Sequence, residues 1–358
     1  MPTWGEINVE LSKQLRLESQ RQGQPRDPLA PSPHDLVRRK YLRELAEHTG
    51  RPVIVYASAW LEGRPVADQT AISVSTRDMM GFMEAVHGLA KGPLDLILHS
   101  PGGDQNAAET LMKYLRDQGF GPIRAIVPIS AMSAATMMAL CCDEVLMGHH
   151  SQLGPIDPQF TLMTPEGPRA SPAQAILDQF DQAKQECAAQ PQAIAAWLPI
   201  LRSYAPGLLS QCVSAQEGAE QMVSTAMQAH MFAGLPEPER AAQAKKVAEW
   251  FNDHKTHRSH GKPLRYEDVR DQGVRVSLLE DDGELQDRVL SAWHGIQLSL
   301  TGVAVLKLIE NSNGNAWLLS GSPGFILAPG PPQQPQLPTP PPNPQPNRAQ
   351  RRQGGRKK

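Results

Sequence analysis

The chain lacks any hydrophobic run near the ~20 apolar residues that a membrane-spanning helix requires. Its opening residues, M-P-T-W-G-E, also lack the charged and apolar regions of a secretory signal peptide. These absences argue against an integral membrane or exported protein, and they lead us to expect a cytoplasmic one. The 358 residues are 40% hydrophobic and 20% charged, which allows one large core or two smaller ones.

Metal-binding and redox motifs are also missing. The four cysteines form no C-x-x-C spacing, so we expect reduced, mainly buried thiols. Three histidines spaced three apart, His254, His257 and His260, raise the alternative of a metal site. Gly261 and Pro263 interrupt that segment, and no H-E-x-x-H motif accompanies it. We therefore expect neither a metal nor another cofactor.

Both ends of the chain have compositions that are poor in core-forming residues. Residues 1–33 mix alternating charge with Gln and Pro, so we expect a loosely ordered arm. Residues 329–358 are rich in Pro, Gln and Asn and end in R-A-Q-R-R-Q-G-G-R-K-K. This composition predicts a disordered, polyproline-like spacer with a basic tip.

The charge of that tail separates it from the rest of the chain. Subtracting its six positive charges from the net charge of −2 leaves −8 on the remaining residues. One interpretation is a tail that only improves solubility. The other is a tether that contacts an anionic partner, such as nucleic acid or an acidic protein, in a salt-dependent way.

Strand and helix patterns alternate in the first half of the chain, which predicts an α/β fold. Strands are expected at 52–60, 94–98, 123–128 and 145–147, with helices after each of the first three. Such repeated β-α units form a mostly parallel sheet with right-handed crossovers. We assign the core of this fold to residues 34–160.

The second half of the chain has a mainly helical pattern instead of alternating strands and helices. Helical patterns separated by prolines predict an α-helical subdomain over residues 161–253. Residues 254–328 hold the histidine segment and return to the core, with a strand near 274–277, a long helix over 282–310 and a last strand near 316–319.

Two strand-turn-helix units carry the candidate chemistry. The first contains S-P-G-G-D, where Gly102 and Gly103 can turn their amides outward at a helix start. The second contains A-M-S-A-A-T, where a sharp turn would expose the hydroxyl of Ser133 and free the amide of Ala134 as an oxyanion donor. Each motif alone is typical of an ordinary turn, but the two in succession favour a hydrolytic site.

These motifs, together with D-E-V-L-M-G, S-Q-L-G-P-I-D-P-Q and S-H-G-K-P-L, resemble the serine dehydrogenase proteinase family. That family is distantly related to the Clp protease subunit and to signal peptide peptidase A, and the similarity spans residues 34–320. The resemblance implies a Clp/crotonase-like fold and a serine endopeptidase that cleaves peptides or proteins. It also implies a homo-oligomer. On the matching motifs it implies Ser133 as nucleophile, Asp157 as acid, His260 as base, and Gly102 and Gly103 in the oxyanion hole.

The resemblance leaves the identity of the base open. A Clp subunit carries its histidine shortly after the nucleophile, and that register falls near Pro155 here. A Ser-Lys dyad using Lys184 is one alternative, because no other lysine lies between Lys113 and that residue. The other candidate bases are His149, His150, His254 and His257.

Two functions outside proteolysis also stay open. Crotonases share the fold and bind acyl-CoA thioesters, although hydratases need paired carboxylates rather than a nucleophilic serine. A catalytically silent assembly or adaptor protein would keep the fold without the activity.

Overall fold

The computed structural model describes residues 3–20, 30–63, 69–164 and 167–321. The Pro-rich tail predicted at 329–358 lies outside these residues. The strands are β1 (Val53–Ser58), β2 (Gly92–His99), β3 (Phe120–Val127), β4 (Ser130–Ala131), β5 (Glu144–Met147), β6 (Gln152–Leu153), β7 (Gln159–Thr164), β8 (Gly167–Pro172), β9 (Val276–Leu278), β10 (Val305–Asn311) and β11 (Ala316–Ser320).

The helices alternate with the strands in the first half of the chain and dominate the second. They are α1 (Trp4–Ser19), α2 (Pro33–Thr49), α3 (Asp78–Val86), α4 (Gln105–Asp117), α5 (Ala134–Leu140), α6 (Ala173–Ala189), α7 (Ile194–Leu201), α8 (Leu208–Ala229), α9 (Glu239–Asn252), α10 (His254–His257), α11 (Tyr266–Asp271) and α12 (Gly283–Gly302).

A seven-stranded sheet forms the centre of the fold, in the order β11-β10-β1-β2-β3-β5-β9. The five strands from β1 to β9 run parallel, while β10 and β11 pair antiparallel at one side. The prediction of an α/β fold with a mostly parallel sheet is therefore confirmed. The carboxyl ends of parallel strands meet at one edge, and the loops after β2 and β3 accordingly lie near each other.

Helices cover both faces of the sheet, because its central strands bury both sets of side chains. Ile54 and Tyr56 of β1 belong to the core beneath α3, α4, α5, α8 and α9. Val53 and Val55, which alternate with them, belong to the core beneath α1, α2 and α12. A continuous apolar strand such as V-I-V-Y-A is what a sheet covered on both faces requires.

The N-terminal region is more ordered than we expected. Helix α1 begins with a capping box between Thr3 and Glu6, and it buries Ile7 and Leu11 in the core beneath α2 and α12. The sequence prediction weighed charge and Gln content and overlooked these two apolar positions four apart. Burial of that narrow stripe against a neighbouring helix stabilises a segment whose composition alone indicates disorder.

Three strands also appear in regions where helices were expected. The predicted helix over 282–310 ends at Gly302, and β10 follows after a short turn. The predicted helical subdomain begins with the hairpin of β7 and β8, and Phe160 and Leu162 of β7 pack on Ile176 of α6. A short apolar run can form either a helix or a strand. Here pairing with β1 makes β10 a strand, and pairing with each other makes β7 and β8 strands.

A buried ion pair joins β10 to the start of α3. Lys307 Nζ lies 2.6 Å from Asp78 Oδ1, and both side chains are 1% exposed. Tyr56 donates its hydroxyl hydrogen to the other oxygen of Asp78 at 2.8 Å, and Lys307 also donates to the carbonyl of Ser73 at 2.7 Å. Burial lowers the pKa of Lys307, and the charge of Asp78 opposes that shift.

Candidate active site

Ser133 occupies a strained turn between β4 and α5. Its φ of 51° and ψ of −120° lie outside the regions that L residues normally adopt. Among the described residues, Arg258 is the only other non-glycine residue with a positive φ. The side chain of Ser133 is partly exposed, and it makes no capping hydrogen bond to α5. A strand-to-helix turn of this kind presents a hydroxyl to a substrate.

The S-P-G-G loop lies directly against this turn. Ser100 donates its amide hydrogen to the carbonyl of Ser130 in β4 at 3.1 Å, and its carbonyl accepts from the amide of Met132, just after β4, at 2.9 Å. Gly102 has a φ of 95°, and a Cβ atom there would lie 2.5 Å from the Cβ of Ser133. It would also lie 2.9 Å from the amide nitrogen of Ala134. Only glycine permits so close an approach.

Two backbone amides at this junction have no acceptor among the described residues. Ala134 is the first residue of α5, and its amide therefore has no carbonyl one turn earlier to bond. Gly102 donates to Ser100 Oγ at 3.2 Å, whereas the exposed Gly103 has no such partner. The amides of Gly103 and Ala134 are thus available to an anion.

The loop that carries Asp157 is tied to helix α5. Strand β6 pairs in parallel with β4, so the loop starts beside the Ser133 turn. Thr136 of α5 accepts from the Gly154 amide at 3.0 Å and donates to the Ala131 carbonyl at 2.8 Å. Thr136 therefore links α5 to β4 and to the loop that carries Asp157.

The histidine segment docks onto the same loop. Leu264 and Leu153 exchange two backbone hydrogen bonds of 2.9 Å, as in an antiparallel pair. The Ile156 amide donates to the Phe251 carbonyl at 2.9 Å. These bonds bring residues 254–264 alongside Asp157.

Asp157 accepts hydrogen bonds from two imidazoles. Its Oδ1 lies 2.7 Å from Nδ1 of His260, and its Oδ2 lies 3.0 Å from Nδ1 of His254. Gln159 Nε2 donates to Oδ2 at 2.9 Å. The carboxylate is 2% exposed, and because it only accepts, each Nδ1 must carry the proton. Nε2 of His260 is thereby left as the basic nitrogen of that ring.

A cavity of about 690 Å³ brings these groups to one space. Its lining includes Ser133, His260, Gly102, Gly103 and Ala134, together with Phe160 and Thr161 of β7. A second cleft of about 560 Å³, between α4 and α8, shares Gln105 and Asn106 with it.

Four of the five other candidate bases make their contacts away from Asp157. His257 is buried, and its Nε2 is 2.6 Å from the Trp250 carbonyl. His149 contacts Glu267 at 3.1 Å on the surface, and His150 lies 3.7 Å from Glu280. Lys184 of α6 is 72% exposed beside Asp181 and is not in the cavity lining. Of these alternatives, only His254 contacts Asp157.

Gln159 is the site residue that sequence reasoning missed. It stands two positions after Asp157, at the end of the motif L-G-P-I-D-P-Q, and its amide supports the carboxylate. The sequence carried a signal for this contact, because Pro158 restricts the backbone between Asp157 and Gln159 and so limits where the Gln159 side chain can lie.

The thiols are free, and Cys141, Cys142 and Cys212 are buried. Burial raises the pKa of the Cys141 thiol to about 12, which leaves it protonated and unreactive at neutral pH. In the described ranges, no group of three or more His, Cys, Asp or Glu side chains has a geometry that could hold a metal ion. Within those same ranges, none of the helices has the length and apolar character to cross a bilayer.

A family model described as ClpP-like SDH-type serine proteinase matches residues 35–194. The chain is therefore similar to this family over that stretch. The resemblance drawn from the motifs is confirmed there, and the family indicates a serine peptidase. The match includes Gly102, Gly103, Ser133 and Asp157, and it ends before the histidine segment.

Two curated relatives are uncharacterized proteins of Methanocaldococcus jannaschii. One is 36% identical over 129 residues, covering 35% of this chain and 43% of the relative. The other is 39% identical over 67 residues, covering 19% and 23%. The chain thus spans less than half the length of these relatives. A solved structure of the 1510-N membrane-bound stomatin-specific protease aligns with a TM-score of 0.36 and 15% identity, covering 60% of this chain and 79% of that one.

Proposed function

We propose that this protein is a serine endopeptidase that cleaves peptide bonds through an acyl-enzyme on Ser133. The observation that carries the proposal is the shared cavity of Ser133 and His260, whose Nδ1 is held by the buried Asp157. A serine hydroxyl is a weak nucleophile at neutral pH, so it needs a base to take its proton.

His260 is the proposed base. Asp157 holds the ring in the tautomer with a bare Nε2, and its charge stabilises the imidazolium that forms on proton transfer. The same imidazolium then protonates the leaving amine, and water repeats the sequence to release the acyl group.

The amides of Gly103 and Ala134 are the proposed oxyanion hole, with Gly102 permitting the approach of the two loops. Gly103 and Ala134 line the cavity with Ser133, and neither amide has a protein acceptor among the described residues, so both can receive the negative oxygen of the tetrahedral intermediate. One such donor typically contributes ~3 kcal/mol to lowering the barrier.

The shape of the site favours an extended chain as substrate. Gln105 and Asn106 line both the cavity and the cleft between α4 and α8, so the two spaces are adjacent. A peptide can occupy both spaces, while a small ester would fill only the first. We further propose a homo-oligomer that acts in the cytoplasm, and light scattering that gave a monomer of 39.2 kDa would contradict the oligomer.

A fluorophosphonate probe, which reacts with activated serines, tests the proposal. We expect labelling of the wild type, and none of Ser133→Ala. His260→Ala should lose labelling and peptidase activity nearly as fully, because members of a triad act as a unit. Asp157→Asn should lower turnover by about 10³-fold to 10⁴-fold through the wrong tautomer.

Asp178→Asn is the matched control for the carboxylate, because Asp178 is an exposed partner of Lys255 on the surface. It should behave as wild type. An unlabelled wild-type protein would instead favour a silent assembly role, and full activity in His260→Ala would remove that residue from the mechanism.

A further inference from the structure

His254 contacts the proposed acid although a Ser-Asp-His triad does not need it. Its Nδ1 lies 3.0 Å from Oδ2 of Asp157, the oxygen that His260 leaves free. Its side chain is 18% exposed, against 29% for His260, and it is not part of the cavity lining. His254 is therefore placed to act on Asp157 rather than on a substrate.

The carboxylate geometry gives this contact a consequence. A carboxylate held at one oxygen can still turn about its Cβ–Cγ bond and tilt the imidazole that it supports. Here Oδ2 accepts from both His254 and Gln159, which fixes the plane of the group. With the plane fixed, Oδ1 meets Nδ1 of His260 along one direction only.

The support beneath His254 is itself rigid. Asp253 caps the short helix α10 by accepting from the Lys255 amide at 2.9 Å. The His257 ring packs edge-on against Trp250 with centroids 4.7 Å apart, and its Nε2 bonds to the Trp250 carbonyl. The Arg258 amide donates to the His254 carbonyl at 2.7 Å, so the turn that carries His260 continues directly from this short helix.

We propose that His254 is a positioning residue that orients Asp157, and through it His260, for proton transfer. The inference rests on the proposed peptidase function. Loss of this hydrogen bond should lower kcat by about 10-fold to 100-fold, the size of effect seen when the hydrogen bond that orients a metal-ligating histidine is removed. KM should stay within about twofold, since His254 does not line the cavity.

The test compares three replacements of His254 using a peptide substrate. His254→Ala and His254→Leu remove the donor, whereas the amide of His254→Asn keeps an N–H close to the position of Nδ1. We expect low kcat in the first two and recovery of most of it in the Asn variant. His149→Ala, which removes an exposed histidine bonded to Glu267, is the control and should match wild type.

A purely structural role would affect the Leu and Asn variants alike, so the Asn rescue separates the two explanations. If the Ala variant does not fold, the Leu and Asn pair makes the same comparison. Wild-type kcat in His254→Leu, or equal loss in the Leu and Asn variants, would overturn the proposal.

Two reference variants separate this inference from the proposed function. If Ser133→Ala and His260→Ala both keep activity, the peptidase mechanism itself fails. If those two lose activity while His254→Leu does not, only the positioning role is rejected. Loss in His254→Ala with full activity in His260→Ala would make His254 the base and would also reject it.

Discussion

At the scale of single residues, Gly102 is the glycine of the S-P-G-G loop that packs directly against the Ser133 turn. A Cβ atom there meets the Met132 carbonyl and the Cβ of Ser133, each at 2.5 Å. We expect Gly102→Ala to fold but to label with a fluorophosphonate at least about 100-fold more slowly, because the two loops must separate at the proposed oxyanion hole. Labelling rates and thermal unfolding measure both effects.

Gly92→Ala is the matched control for the backbone strain. Gly92 has a φ of 109°, close to the 95° of Gly102, but a Cβ atom at Gly92 would meet no described atom within 4 Å. Both variants should lose similar stability, and only Gly102→Ala should lose reactivity. Equal labelling rates in the two variants would contradict the proposed contact.

His99, the residue before the S-P-G-G loop, links stability to pH. Its ring lies between Trp60 and Trp293, with centroids 5.8 Å and 4.5 Å away, and neither ring nitrogen has a hydrogen-bond partner among the described residues. Burial lowers the pKa of His99 from 6.5 to about 3. Between pH 6.5 and pH 3, His99 therefore binds a proton in the unfolded chain but stays neutral in the folded protein.

The direction of the effect follows from that difference. Stability from the neutral His99 is present above pH 6.5 and falls as the pH drops toward 3, because only the unfolded chain binds the proton. Between pH 7 and pH 5 this residue should cost about 2 kcal/mol. We expect His99→Phe to remove that part of the decline in urea unfolding. Equal declines in both proteins would show that His99 does not titrate as described.

At the scale of secondary-structure elements, the ion pair between β10 and α3 offers a stability test. Lys307→Met should destabilise the fold by about 3–5 kcal/mol, because it leaves the Asp78 carboxylate buried without its cation. Lys307 also holds the carbonyl of Ser73, next to the Val74 that pairs with Gly103. The replacement should therefore slow fluorophosphonate labelling as well.

Lys113→Met is the matched control for this pair. Lys113 contacts Asp117 one turn away on α4, and the two side chains are 71% and 58% exposed. Its loss should change the free energy of unfolding by less than about 1 kcal/mol. Similar losses in both variants would mean that the buried pair contributes no more than an exposed one.

The elements also show how far sequence patterns reach. Strands β1, β2, β3 and β5 and the helices between them follow from apolar runs, glycines and caps that are local in the chain. At helix α2 the residues Ser32 and Asp35 can each cap a helix, and the structure shows Ser32 as the N-cap with Asp35 as its partner in a capping box. Strand β10 could not be told from a helix, since its pairing partner, β1, is far away in the chain.

At the scale of the whole molecule, the body and the basic tail are expected to divide their roles. A chain truncated after Ala328 should fold and keep hydrolase activity, because the predicted cores and the candidate site lie before that residue. It should lose any retention on a polyanion column at low salt, since it lacks the six tail cations. Column elution against salt and a peptidase assay measure these properties.

Either of two results would contradict this division. Lost activity in the truncated chain would mean that the tail supports the catalytic body. Unchanged retention would mean that another surface binds the polyanion, although the rest of the chain carries a formal charge of −8.

The sequence by itself determined the alternating core and the juxtaposition of two loops at one sheet edge. These features depend on neighbouring residues, on positive φ at glycine and on the rule that parallel strands end together. Ser133, Gly102, Gly103 and Ala134 were found this way. Asp157 and His260 came from the family resemblance, and the catalytic roles of all six residues stay predictions.

Only the tertiary structure decided which histidines meet Asp157. His254 and His260 lie 97 and 103 residues from it in the chain, and their contact depends on the antiparallel bonds of Leu153 with Leu264. His257, three residues from each, instead packs on Trp250. Local sequence patterns do not distinguish the three histidines, because a spacing of three residues does not predict which of the side chains contacts a loop that is distant in the chain.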